Sequence, residues 1–144
     1  MNDVGATGYG RAMRLVTIVG PRGAVWRTEV PTAVRERSRG LRGRKPGLRE
    51  AMLLERCRSV HTAGMAVPIT VAFLDRTWRV IRVERASAGR IVFCRRARHV
   101  LESHIAADVR VGDRLRRDVP SGSARLKGAR TSAAILLRLP LFRP

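Results

Sequence analysis

A mainly β fold is predicted, a single-domain small β-sandwich or barrel with one or two short helices. Three features of the chain point there. Its 144 residues, 44% of them hydrophobic, suffice for one domain with a real core and are too few for two. The apolar residues fall in short β-branched and aliphatic runs separated by Gly, Pro, Asp or Arg-rich turns, a rhythm of sandwiches and barrels rather than of helical bundles. One run, Ile69 to Leu74, is apolar on both faces and has Pro68 at its entrance, where a missing amide proton does least harm. That run predicts a central strand.

Each element follows in order. Arg14 to Val19 is β-branched and ends at Gly20-Pro21, and Trp26 to Val30 alternates after an Arg22-Gly23 turn, so the two predict a hairpin closed by Pro31. Thr32 suits the cap of a following helix, Glu36 its first turn and Gly40 the residue past its end, which places a helix over Ala33 to Arg39. Arg42 to Arg49, with Gly43, Pro46 and Gly47, reads as a connection. Further strands are predicted at Met52 to Leu54, Ser59 to His61, Arg79 to Glu84, Arg90 to Cys94 and Arg98 to Glu102. A short turn or helix at Ile105 to Asp108 leads to Gly112-Asp113 and a last strand at Arg114 to Arg116. Residues 1–13 form an N-terminal segment expected to be disordered, 14–117 the β domain, and 118–144 a basic, partly apolar tail ending in AAILLRLPLF.

The formal net charge is +19, and such a field draws nucleic acid or an anionic membrane surface. Yet among 30 basic residues only Lys45 and Lys127 are lysine, and the arginines are scattered along the chain instead of gathered in one block. With one Tyr, three Phe and two Trp there is little from which to build a base-stacking platform. The densest basic groups are Arg42, Arg44 and Lys45 in the connection and Arg95, Arg96 and Arg98 beside Cys94. No segment approaches the ~20 apolar residues that span a bilayer, and the N-terminal residues lack the apolar run of a secretory leader. A soluble cytoplasmic protein is the expectation.

Cys57 and Cys94 form no Cys-x-x-Cys, and His61, His99 and His104 show no metal spacing, so neither a zinc site nor a redox pair is signalled and no cofactor is expected. Gly-rich phosphate loops and paired carboxylates are missing as well. Asp75 and Gly112-Asp113 read as turn residues, and Trp26 and Trp78 as core or interface residues.

Six motifs in a fixed order, RERSRGLRGR, AMLLERCRSVHTAGM, VPITVAFLD, RVIRV, ARHVLE and VRVGDRL, resemble the uncharacterised bacterial and archaeal family called domain of unknown function 192. The resemblance runs from about Leu15 to Leu115. It implies a small, mainly β sandwich or barrel and no established activity. Against the family's usual V-H-T-F-G-M-R-F-P-I-D-V, this chain retains Val60, His61, Thr62, Gly64, Met65, Pro68, Ile69 and Val71. It departs at Ala63, Ala66 and Thr70, where relatives carry an aromatic, a basic residue and an aspartate. The glutamate that the resemblance implies is Glu102.

Three functions remain from different classes. The first is a non-enzymatic module that binds a small ligand or a protein through the surface around His61, Thr62, Met65, Thr70 and Glu102. Nucleic-acid or anionic-surface binding through the arginines is the second. An enzyme at His61 and Glu102, with Thr62 as the hydroxyl, is the third; strand neighbours point to opposite faces, which separates His61 from Thr62. The quieter reading of the same residues has His61 capping the core edge through a hydrogen bond, Thr62 on a pleated surface and Glu102 paired with an arginine.

Overall fold

The computed structural model describes residues 13–118; the rest of the expected terminal segment and of the basic tail lies outside them, while Met13 and Asp118, assigned to those segments, are strand residues. Among these residues nine strands, β1 (Met13–Val19), β2 (Val25–Pro31), β3 (Glu50–Glu55), β4 (Ser59–His61), β5 (Ile69–Leu74), β6 (Val80–Ala86), β7 (Ile91–Phe93), β8 (His99–His104) and β9 (Arg116–Asp118), accompany one α-helix, α1 (Val34–Arg39), and a single 3-10 turn at Pro21–Gly23. Seven strands form one sheet in the order β6-β5-β8-β3-β2-β1-β9, and β4 pairs with β7 in a separate ribbon. The mainly β prediction holds.

Strands β1 and β2 form the predicted hairpin, from Met13 opposite Pro31 to Val19 opposite Val25. Its turn places Arg22 at φ 58° and Gly23 at φ 74°. Strand β3 lies parallel to β2, and a parallel pair needs a crossover. Helix α1 and the arginine-rich connection supply it, and so are laid across one face of the sheet. The helix begins one residue later than predicted, because Ala33 and not Thr32 occupies the cap position. Strand β5 is central as predicted: all six residues are buried, between β6 and β8. Burying each large aliphatic or aromatic side chain there contributes about 1.5–3 kcal/mol.

Period-two alternation sends these strands into two cores. Ala51, Leu53, Ala72, Leu74 and Leu101 join Ile18, Trp26 and Val30 on one face. Met52, Leu54, Ile69, Val71, Phe73 and Val100 occupy the other, beneath Leu41 of the crossover and Val60 and Val92 of the ribbon. The first core lies inside a curl of the sheet. Its ends meet where Val80 N–H donates to Asp113 O (2.8 Å), Gly112 N–H to Val80 O (2.8 Å) and Leu115 N–H to Trp78 O (2.9 Å). The seven-stranded sheet is open, and it curls so that its two ends approach at this seam. Arg22 fastens this seam, with both terminal nitrogens on Asp113 (3.0 and 2.6 Å) and Nε on Asp108 (3.0 Å). The last strand is shifted from Arg114–Arg116 to Arg116–Asp118, because Arg114 is taken up by the seam opposite Arg79.

Candidate functional site

Above the second core, the crossover and the ribbon leave a cavity of about 250 Å³. Leu41, Leu54, Val60 and Met65 supply apolar wall, Glu102 lies at its floor, and His61, Arg37 and Cys57 also line it. On the fully paired β8, Glu102 stands opposite Met52 of β3 and Val71 of β5. Alternation there directs Val100 and Glu102 to the face under the crossover. Only 4% of Glu102 is exposed. Burial pushes its carboxyl up to about 7, opposed by a hydrogen bond from the Leu41 backbone N–H. Its Oε2 has no hydrogen-bond partner among the described residues. The quieter reading of Glu102, an arginine ion pair, is therefore overturned: no arginine reaches it among the described residues.

Gly40 makes room for this carboxyl. A Cβ there would stand 3.2 Å from Oε2, and the backbone at φ 53°, ψ −138° is one that L-residues avoid. The glycine ends α1 and hands Leu41 to the carboxyl in the same step. Gly40 was legible as a helix terminator; its closeness to Glu102, sixty-odd residues on, was not.

The SVHTAGM motif folds around Thr62, which is 1% exposed. Its hydroxyl donates to Ser87 O (2.6 Å) and accepts from Arg90 N–H (2.8 Å), and its carbonyl accepts from Met65 N–H (3.2 Å) and Gly89 N–H (3.1 Å). Thr62 thus pins the β6–β7 turn and points away from the cavity. His61 and Met65, on either side, line it. His61 is exposed and its side chain makes no hydrogen bond among the described residues, so it does not cap the core edge. Gly64, at φ 75°, lets the Arg42 side chain pack within about 3.1 Å of where a Cβ would stand, and Arg42 Nε donates to Ala63 O (3.0 Å).

Thr70 lies on the opposite face of β5, 2% exposed, with its hydroxyl donating to Ile105 O (3.0 Å). The position where relatives carry aspartate therefore neither opens nor closes the cavity. Of five predicted residues, the structure brings together His61, Met65 and Glu102, and places Thr62 and Thr70 elsewhere. Cys57 and Arg37 are additions with no sequence signal of their own. Cys57 Sγ donates to Ser59 O (3.0 Å) and Arg37 to Glu55 O (2.6 Å), and both cysteines are free.

The basic residues divide. Arg44 forms a two-pronged pair with Glu29 (2.6 and 2.9 Å) and Arg42 is held by Ala63, while Lys45 is exposed. Arg95, Arg96 and Arg98 line a separate cleft on another part of the surface. No group of three or more His, Cys, Asp or Glu placed to hold a metal ion exists among the described residues. No helix there is long and apolar enough to cross a membrane.

Residues 17–117 match the family described as "Uncharacterized ACR", DUF192. No curated protein matches the chain. A protein of unknown function from Novosphingobium aromaticivorans DSM 12444 shares the fold, with TM-score 0.63 and 20% identity over 77% of this chain and 89% of that one. So does a protein described as a "putative transcription regulator" from Sinorhizobium meliloti 1021, with TM-score 0.62 and 21% identity over 74% of this chain and 95% of that one.

Proposed function

The chain belongs to the uncharacterised DUF192 family, which lends it no activity, and we propose from its own geometry that it is a binding module for a small ligand. The ligand's apolar body fills the 250 Å³ cavity, and an N–H or O–H of the ligand donates to the Glu102 carboxyl group. One observation carries this reading: a carboxyl group 4% exposed, with an oxygen unused among the described residues, at the floor of a cavity whose wall is partly apolar and partly basic. An unpaired buried polar atom costs about 1–3 kcal/mol. A donor brought by a ligand recovers that cost, so part of the fold's unfavourable energy becomes binding energy.

A binding role is favoured over turnover by the placement of Thr62. The hydroxyl that a His-Thr-Glu site requires is committed to Ser87 and Arg90 on the far side of the ribbon. Thermal shift against a library of small metabolites at about pH 7 tests the reading, with wild type and Glu102→Ala side by side. Ligands that occupy the cavity raise the wild-type Tm by several degrees at saturation and leave the variant unmoved. Silence across the library, or hits that ignore the variant, counts against it.

A further inference from the structure

Three turns at another part of the surface converge on a cleft of about 440 Å³ lined by Arg58, Arg76, Arg95, Arg96 and Arg98, with Asp75 its lone carboxylate among the described residues. Asp75 is already engaged: its Oδ1 accepts from Thr77 N–H (2.8 Å), the Thr77 hydroxyl (2.8 Å) and Arg79 N–H (3.1 Å). None of the five arginines forms an ion pair with a carboxylate among the described residues. Four are exposed and Arg98 is half-buried. Their mutual repulsion is left uncompensated by the fold.

The backbone beneath them is firmly joined. Arg98 N–H donates to Leu74 O (2.6 Å), tying the β7–β8 turn to the end of β5, and Ala97, 3% exposed, anchors that turn in the core. Cys94 N–H donates to Arg58 O (2.8 Å) and Cys57 N–H to Arg98 O (3.1 Å), which binds in the segment between β3 and β4. The backbone that carries five arginines, from three distant stretches of chain, is thus fixed around one cleft before any ligand arrives. Planar guanidinium forks match phosphoryl oxygens two at a time.

We propose that this cleft binds the phosphodiester backbone of a nucleic acid. Five cationic forks spread over 440 Å³ call for several phosphoryl groups in succession, which a polymer backbone supplies. Apart from Ala97, the lining among the described residues holds one apolar residue, the half-buried Ile81, which gives the cleft itself little to insert into lipid. Arg58 and Arg76 are members that the run of arginines near Cys94 did not disclose.

Fluorescence anisotropy of labelled single-stranded and duplex oligonucleotides with the full chain tests the proposal at about 150 mM salt. The triple variant Arg58→Gln, Arg76→Gln, Arg96→Gln is compared with Arg35→Gln, Arg85→Gln, Arg90→Gln, which removes the same charge from exposed positions off the cleft. These side chains lie on the surface, so both triples keep the fold. Wild type binds at that salt, the cleft triple binds about tenfold or more weakly, and its salt slope falls by about 2–3. The off-cleft triple stays within about threefold. Equal weakening by both triples, or loss of wild-type binding at that salt, overturns the proposal. So does cleft-dependent binding to phosphatidylserine vesicles without oligonucleotide binding.

Discussion

Replacing Glu102 by glutamine changes how stability depends on pH. Burial lifts the carboxyl from an ordinary 4.5 to about 7. Between those values the folded chain holds a proton that the unfolded chain has released, so this group's contribution falls as pH rises through the window. Above the window the folded chain carries a buried carboxylate at a cost of about 3 kcal/mol. Glutamine has nearly the same shape and no charge. The stability gap, variant minus wild type, therefore grows by about 3 kcal/mol between about pH 4.5 and about pH 8, while all other titrating groups cancel in the difference. Any constant offset from the new amide leaves that growth intact. Urea unfolding of both proteins across the range measures it. A gap that does not change with pH would show that Glu102 titrates at its ordinary value, and one that shrinks as pH rises would show it ionised beside a partner; either would refute the electrostatics of the cavity.

The other substitutions separate scaffold from site. Thr62→Val strands the Ser87 carbonyl and the Arg90 N–H, costing about 2–3 kcal/mol in urea unfolding with ligand affinity unchanged; a matching loss of affinity would return Thr62 to the site. Gly40→Ala forces a side chain into a backbone at φ 53° and against Oε2 at 3.2 Å, costing about 1–3 kcal/mol and weakening ligands of the cavity; an unchanged Tm would contradict the reading. Asp113 is held below its ordinary 3.8 chiefly by the Arg22 hydrogen bonds, so the stability it contributes is present above that value and lost as pH falls. Asp113→Asn thus lowers stability at neutral pH, and the gap to wild type closes below about pH 3.8; a gap that persists in acid would mean the seam does not rest on that charge.

Much of the fold was legible because it rests on short-range rules. Ile69 to Leu74 announced a central strand by being apolar on both faces, and Gly20-Pro21 with Gly23 marked the hairpin turn. Boundaries slipped where a long-range contact decided them. Arg114 looks like strand but is used by the seam with Arg79, and Thr32 looks like a cap while Ala33 holds that position.

The site was legible only in part, for the same reason. Strand alternation did not reach Thr62, which lies one residue beyond β4 and is not on a pleated surface but is a buried hub for the 87–90 turn. Thr70 drew notice because relatives carry aspartate there, but the parity that makes β5 central also turns Thr70 from the cavity. Arginines outnumber carboxylates so heavily that an ion pair for Glu102 was the natural expectation. The crossover instead covers the carboxyl with Gly40 and Leu41, a contact between segments some sixty residues apart, while Arg37 in the same cavity wall donates to Glu55 O.

The central claim is that the Glu102 carboxyl at the cavity floor meets a ligand. Its most direct test is the side-chain carboxyl ¹³C resonance of Glu102, followed by NMR while a ligand that raises Tm is added. The account predicts that this resonance shifts and saturates at the concentrations that raise Tm, together with the Met65 methyl. A ligand that stabilises the protein while both signals stay still would contradict it.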